Sequence, residues 1–360
     1  MASGDVDFTY SFPAIRGVQA GREFFTSMCP LKLIPRIFVF DDEDVPAEFR
    51  SQRALNRSRI PEMARYLVEN RESYVFSAIT ASIDAQVTFE PVDGLSGPLQ
   101  KTGTLRVPMT ARFIINDGQH RRAAIEEALR IAPEMGDESM AVVFFVDQGL
   151  KHCQQMFADL NRYAVKPSAS IGVLYDHRDE LADIIRKLVF NSPVFRELVE
   201  VERTTLSIKS RKLFTMSAIY SASRALVGSS VTALDTQTAA LVESFWLRLP
   251  EVFPDWLDVQ AGRLNAEDTR REKIHASALV LQAAAVVVRR LLDEGRADWP
   301  ELIQRFKLVD WSRRNEVWEG KATINGRVSK ARENVSATAD YLYRVAVGRA
   351  GAGSRSGVQS

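Results

Sequence analysis

Hydrophobic residues are spaced differently in the two halves of this chain. Up to about residue 165, short apolar runs alternate with turn residues. "LIPRIFVF" (33–40) reads as a strand that stops at the acidic loop "DDEDVP". Between Glu48 and Asn70, the residues Ile60, Met63, Ala64, Leu67 and Val68 recur at helical spacing, and Pro61 suits a first turn. "YVFSAITASI" (74–83), "VTFEPV" (87–92), "TLRVPM" (104–109) and "ARFIIN" (111–116) read as strands, with "DGLSGPLQKTG" (93–103) as a turn-rich loop. "SMAVVFFVD" (139–147) is apolar enough for a strand buried on both faces. Helices are predicted at "QHRRAAIEEALRIA" (119–132), ended by Pro133, and at "GLKHCQQMFADLNRYA" (149–164).

Beyond residue 165 the strand signal disappears. "HRDELADIIRKLVF", "RKLFTMSAIYSASRALV", "ALDTQTAALVESFWLRL", "RREKIHASALVLQAAAVVVRRLLDEG" and "ENVSATADYLYRVAVG" each read as one helix. The tail "RAGAGSRSGVQS" is small and polar and is expected to be disordered. The fold class is therefore α+β. A mixed α/β domain spans 1–165, an all-helical domain spans 166–346, and a disordered tail spans 347–360. No internal repeat is visible.

Composition narrows the setting. The 360 residues are 46% hydrophobic, enough for a substantial core. Lys+Arg number 47 against Asp+Glu 46, so any basic surface must be local. Cys29 and Cys153 alone make neither a disulfide framework nor a zinc pattern. His152 and His177 lack ligand spacing with any cysteine pair, so neither a metal site nor a cysteine nucleophile is expected. The N-terminus carries no signal-peptide pattern, and the longest apolar stretch (274–288) is too short to span a bilayer. A cytoplasmic protein without a membrane partner is expected.

The densest chemistry lies in "FIINDGQHRR" (113–122): a β-branched run, Asn-Asp-Gly, then an amide, an imidazole and two guanidinium groups at a helix start. The first N–H groups of a helix lack intrahelical partners, and its dipole favours an anion there. Asp117 can cap the helix and Gly118 can turn the backbone tightly. Arg121 and Arg122 in the first turn oppose the dipole, which suggests a bound phosphate as their reason. Gln119 lies between these groups, and His120 can donate to the phosphate or act as acid or base. The alternative is an ordinary Asp-Gly turn whose arginines pair with nearby acids. Both readings stand at this point.

Other basic stretches carry the same ambiguity. Arg50, Arg53, Arg57 and Arg59 fall within "RSQRALNRSR", with Arg53 and Arg57 four apart on one helix face. They form either a ridge for DNA phosphates or a solvated face paired with the upstream acids. Gln52 and Asn56 among them can reach a base edge. Lys209, Arg211 and Lys212 in "TTLSIKSRKLF" suit a DNA backbone or an ordinary basic loop. "RLNAEDTRREKIHA" (263–276) is mixed in sign and reads as a solvated face. In 311–335 basic residues interleave with Trp311 and Trp318, which are read either as nucleic-acid contacts or as core, and Asn325-Gly326 marks a two-residue turn.

"NDGQHRRAA" resembles the defining motif of the DGQHR-domain family. "RGVQAGREFF" (16–25), "RSQRALNRSRIPEMARYLVEN" (50–70), "QQMFADLNRYAVKPSAS" (154–170), "LYDHRDELA" (174–182) and "TTLSIKSRKLFTMSAIYSA" (204–222) resemble its DndB branch. The resemblance runs from about residue 10 to 345. It implies a ParB/sulfiredoxin-like fold for the α/β domain, in which the equivalent turn binds nucleotide phosphates. Asn161 and Lys166 would then join the pocket of Asp117, Gly118, Gln119, His120, Arg121 and Arg122. The branch is associated with bacterial DNA phosphorothioation, not as the sulfur-transfer enzyme but as a DNA-binding repressor of the modification operon. That implies promoter DNA and other proteins of the system as partners, and leaves a homodimer open. The competing reading is an NTPase using ATP or another nucleoside triphosphate with Mg2+, with Asp117 and His120 as its catalytic pair. Against it, no P-loop is present.

Overall fold

The computed structural model describes residues 8–38, 57–147, 155–156, 159–160, 167–228 and 234–349. The chain divides into two compact units, Met1–Val165 and Lys166–Ser360. The first is mixed α/β and the second predominantly helical, the bipartite organisation expected from the hydrophobic pattern.

The first unit is a seven-stranded sheet. Its strands are β1 (Thr9–Gln19), β2 (Arg22–Pro30), β3 (Ile79–Asp84), β4 (Thr88–Pro91), β5 (Thr102–Pro108), β6 (Arg112–Asp117) and β7 (Ser139–Val146). They lie in the order β4-β5-β1-β2-β7-β3-β6. Every pairing is antiparallel except β3 with β7. The helices α1 (Ile34–Ile37), α2 (Ile60–Glu69) and α3 (Gln119–Ile131) supply the other buried residues. Ile34, Leu67, Ile125 and Ala128 join Phe12, Ile79, Phe113 and Phe144 of the sheet in one core. Phe12, Phe38, Phe113 and Phe144 meet mostly edge-on or tilted, with Phe38 stacked on Phe144, all with ring centroids 5.3–6.4 Å apart.

Three features depart from the sequence reading. Leu31–Ile37 is a 3-10 turn running into α1, not a strand, with Pro35 in its first turn. Proline at a helix start costs no hydrogen bond, and that outweighs the β-branched run. β1 and β2 form a hairpin that the pattern did not reveal. Its two-residue turn, Ala20-Gly21, has φ of 51° and 75°, a backbone usually signalled by Asn-Gly. β7 buries Met140, Val142 and Phe144 fully, but Ala141, Val143 and Phe145 only partly.

The second unit is built around the helix Ala278–Asp293, which is buried along nine of its residues and packs against the helices Met216–Val227 and Arg332–Ala346. Strand structure does not vanish here: Val199–Glu200 pairs with Phe214–Thr215, and Thr323–Ile324 with Arg327–Val328 across Asn325-Gly326, both at positive φ. The stretch read as one helix over 270–295 is two, Ala266–Glu272 and Ala278–Asp293. The break turns His275 inward, where its Nδ1 accepts from the Trp256 indole at 3.1 Å and its Nε2 meets Asp255 at 3.0 Å. An indole only donates, so Nδ1 is the acceptor and Nε2 carries the proton toward Asp255. Trp311 and Trp318 are core residues, their indoles donating to the carbonyls of Phe306 and Asp310 at 3.0 Å each. They present no exposed ring to a base. Among the described residues, no helix is long and apolar enough to cross a membrane.

Cys29 lies fully buried in the first core, and burial pushes its thiol up to about 11 against a weaker opposing hydrogen bond with Ser27. The folded state holds the neutral thiol, so its contribution to stability is complete below the ordinary value of 9.0 and is lost as pH rises through about 11. In a Cys153→Ser variant, Ellman's reagent at pH 8 should find no reactive thiol until denaturant is added. Rapid stoichiometric reaction in the folded state would contradict this packing.

Candidate nucleic-acid interface and the DGQHRR elbow

β6 lies at the edge of the sheet and ends at Asp117; Gly118 turns at φ 112°, and α3 starts at Gln119. A Cβ at residue 118 would stand 2.8 Å from Ile79 Cγ1 and 3.1 Å and 3.2 Å from the Arg121 guanidinium. Glycine is therefore required both by the backbone angle and by the side chain lying over it. Arg121 folds back across this turn. Its Nη2 donates to Asp117 Oδ2 at 2.6 Å and to the Ala78 carbonyl at 3.1 Å, and its Nη1 donates to Ser77 Oγ at 2.7 Å. Arg122 reaches the segment around α1, donating to the carbonyls of Phe38 at 2.9 Å and Pro35 at 3.0 Å, and to the Glu126 carboxylate.

Both guanidinium groups are thus engaged by the protein, with the two side chains only 18% and 12% exposed. The expected cap is also different. Gly118 occupies the N-cap position without any side-chain cap, because the Asp117 carboxylate is turned to Arg121. The arginines of the first turn are explained by i,i+4 partners, Asp117 and Glu126, and by carbonyls from elsewhere in the unit. Gln119 is buried and His120 half-buried. Behind the turn, the buried Asn116 amide donates to Ser82 Oγ at 2.9 Å and to Met156 Sδ at 3.1 Å. Chemically, the start of α3 still offers an anion the positive end of the helix dipole.

Arg57 and Arg59 are exposed in a 3-10 turn before α2. Arg53, Asn161 and Lys166 lie outside the described residues, as do Arg50, Gln52, Asn56, His152, Cys153 and the tail 350–360.

A second cluster forms in the helical unit around Arg270, in the stretch read from sequence as a solvated face. Its guanidinium receives no carboxylate among the described residues. Instead Nη1 donates to the carbonyls of Ser210 (2.7 Å) and Lys212, and Nη2 to those of Ser207 (3.2 Å) and Ile208 (2.6 Å). Burial lowers the Arg270 pKa from its ordinary value, opposed by Glu267. With its carbonyls drawn inward, the loop 207–212 presents its side chains outward. Lys209 and Arg211 are exposed and make no ion pair among the described residues. Lys212 does not share this role: its Nζ donates to the Arg196 carbonyl at 2.9 Å, closing the last turn of the helix Pro193–Leu198. An open groove of about 740 Å³ runs beside the loop between Lys209, Arg211, Gln260 and Arg263, but Glu197 and Glu267 also line it. Lys209 and Arg211 thus belong both to the loop and to the lining of the groove, which also carries these two carboxylates.

Arg270 was not found from sequence, and no local signal could have found it, because its acceptors lie about sixty residues earlier. The Arg121 and Arg122 partners could have been: Asp117 and Glu126 stand at i,i+4 spacing in the text itself.

Residues 12–347 match the family described as DndB, DNA-sulfur modification-associated. The chain belongs to the DndB family. No curated protein and no solved structure matches it.

In this DndB-family chain the elbow should behave as a brace. Arg122→Ala leaves the Pro35 and Phe38 carbonyls without that donor and should lower unfolding stability by about 2–4 kcal/mol. Arg122→Lys should recover less than half of that loss, since one ammonium cannot span three acceptors. Gly118→Ala should cost about 1–3 kcal/mol. Urea unfolding of the full chain measures all three, and an unchanged midpoint for Arg122→Ala would remove the brace.

Proposed function

We propose that this chain is a DNA-binding regulatory component of a bacterial DNA phosphorothioation system, acting as a transcriptional repressor at the promoter of the modification operon. The observation that carries the reading is the Arg270 clamp. A guanidinium held by four carbonyls and, among the described residues, by no carboxylate bond adds a positive charge, moderated by Glu267, beneath a loop that already exposes Lys209 and Arg211. Phosphates are the anions that such a preformed cationic loop suits, and family membership supplies DNA as their source. Arg57 and Arg59 are a second exposed basic surface, carried by the first unit. In this reading the DGQHRR elbow is architectural: it shapes the edge of the sheet and is not the reacting centre.

One observation favours a second reading, nucleotide binding or hydrolysis accessory to DNA sulfur modification. α3 starts at Gln119 with no side-chain cap, and the positive end of its dipole favours a phosphate there, with His120 in the first turn and Asp117 as the nearby carboxylate. Arg121 and Arg122 would have to leave their present partners to contribute.

The two readings separate in one titration. Purified protein is titrated with its operon promoter and with an unrelated duplex across a salt series, with ATP or CTP present and phosphate release scored. Preference for the promoter without nucleotide turnover is expected. Lys209→Ala and Arg211→Ala should each weaken binding and reduce the slope of log K against log salt by about 0.9 for every phosphate that is no longer neutralised. Equal affinity for both duplexes with phosphate release that vanishes in His120→Ala would replace the regulator by the NTPase.

A further inference from the structure

Ile208 is the residue of the clamped loop that neither packing nor turn chemistry explains. Ser207 and Ser210 are joined by a backbone bond, Ser210 N–H to Ser207 carbonyl at 3.0 Å, which places Ile208 and Lys209 at the two corners of a turn. Corners of this kind favour Gly, Pro, Asn, Asp or Ser, each for a backbone or hydrogen-bonding reason. Isoleucine has neither advantage, and at 75% exposure it buries little. A lone exposed aliphatic residue is ordinary on a protein surface. This one differs in its setting. Its own carbonyl is held by Arg270 Nη2 at 2.6 Å, so the position is fixed from below. Next to it stand Lys209 and Arg211, exposed and without ion pairs among the described residues.

We infer that Ile208 is an apolar wedge that enters duplex DNA at a base step from the minor groove, while Lys209 and Arg211 hold the flanking phosphates. The inference rests on the DNA-binding reading above and specifies how that contact is made. Proteins that bend DNA insert aliphatic side chains in this way, and the cost of unstacking a step is offset by the extra contacts that the bent duplex makes; a rigid support with cations beside the inserted residue lowers what has to be offset. The four carbonyl bonds to Arg270 are that support. The apolar surface of Ile208 leaves water on binding, and the cost of unstacking is offset by the closer approach of the phosphates to the loop. Arg270 acts here as a positioning residue: it touches the loop, not the DNA.

The test uses the full chain and promoter duplexes carrying 2-aminopurine at successive positions, whose fluorescence rises when the base unstacks. Wild type is expected to raise it at one step. Ile208→Ala should keep the salt slope and the melting temperature, abolish the fluorescence rise, and bind about tenfold more weakly. Ile208→Leu should restore both signals. Arg270→Lys, which cannot hold four carbonyls, should reduce the fluorescence rise even where the protein remains folded. If wild type binds the promoter with no unstacking at any position, or if Ile208→Ala unstacks as wild type does, the wedge is wrong although DNA binding stands. If wild type shows no affinity for any duplex, both the wedge and the DNA-binding reading fall.

Discussion

A guanidinium group taken out of water must find acceptors for five N–H donors, and this requirement organises both units of the chain. Left unpaired, a buried charge costs several kcal/mol, so the surrounding backbone has to supply what solvent no longer does. Arg122 meets the requirement with the carbonyls at 35 and 38 and the Glu126 carboxylate, whereas Arg121 places its two terminal nitrogens on the Ala78 carbonyl, the Asp117 carboxylate and the Ser77 hydroxyl and leaves its buried Nε without an acceptor among the described residues. Arg186, only 8% exposed, uses the carbonyls of Val173 (2.9 Å) and Asp176 (2.7 Å) together with Asp183. Arg270 uses four carbonyls alone. In each case a cationic side chain fastens backbone carbonyls of loops and helix ends that lie outside its own helical turn.

That pattern sorts the arginines into two kinds. Those with backbone partners are committed to the fold, and recruiting them to a phosphate would leave carbonyls unsatisfied. Those in solvent, such as Arg57, Arg59 and Arg211, carry no such obligation and supply local positive charge in a chain whose net charge is only +1. An electrostatic footprint for nucleic acid therefore has to be sought among residues that the hydrogen-bond network leaves over. Counting lysines and arginines along the sequence mixes the two kinds, which is why "NDGQHRR" looked like the strongest anion site and "TTLSIKSRKLF" like a weaker one.

How much of this was legible in the sequence depended on range. Short-range signals were read well: the β6–α3 elbow, the Asn325-Gly326 turn, the helical spacing of Ile60 to Val68 and the bipartite α+β plan. Signals that need a partner from far away were not. The Leu31–Ile37 segment carries strand-like residues, yet Pro35 and the core around Phe38 made it helical. The helix break before Ala278 brings His275 to the Trp256 indole, which donates to it from nineteen residues earlier in the chain. The role of Arg270 depends on carbonyls about sixty residues upstream. For Arg121 and Arg122 the information is local: an acid at i,i+4 is a sufficient reason for an arginine in a first helical turn, and pairing with nearby acids is one of the two readings that the sequence leaves open.

The same physics bears on why the elbow motif takes the form Asp-Gly-x-x-Arg in this chain. Asp117 and Arg121 close over Gly118, and the turn disfavours a side chain there because of its positive φ and because Ile79, with the guanidinium behind it, occupies that space. The Ser77 and Ala78 contacts then tie the same arginine to the approach of β3, the strand beside β6. The motif thus builds a rigid junction between an edge strand and a helix from its own residues, before any ligand is considered. Such a junction can stand behind different functions, since what it fixes is a backbone position and not a reaction. The loop around Arg270 is the place where rigidity, unspent charge and an unexplained apolar side chain coincide.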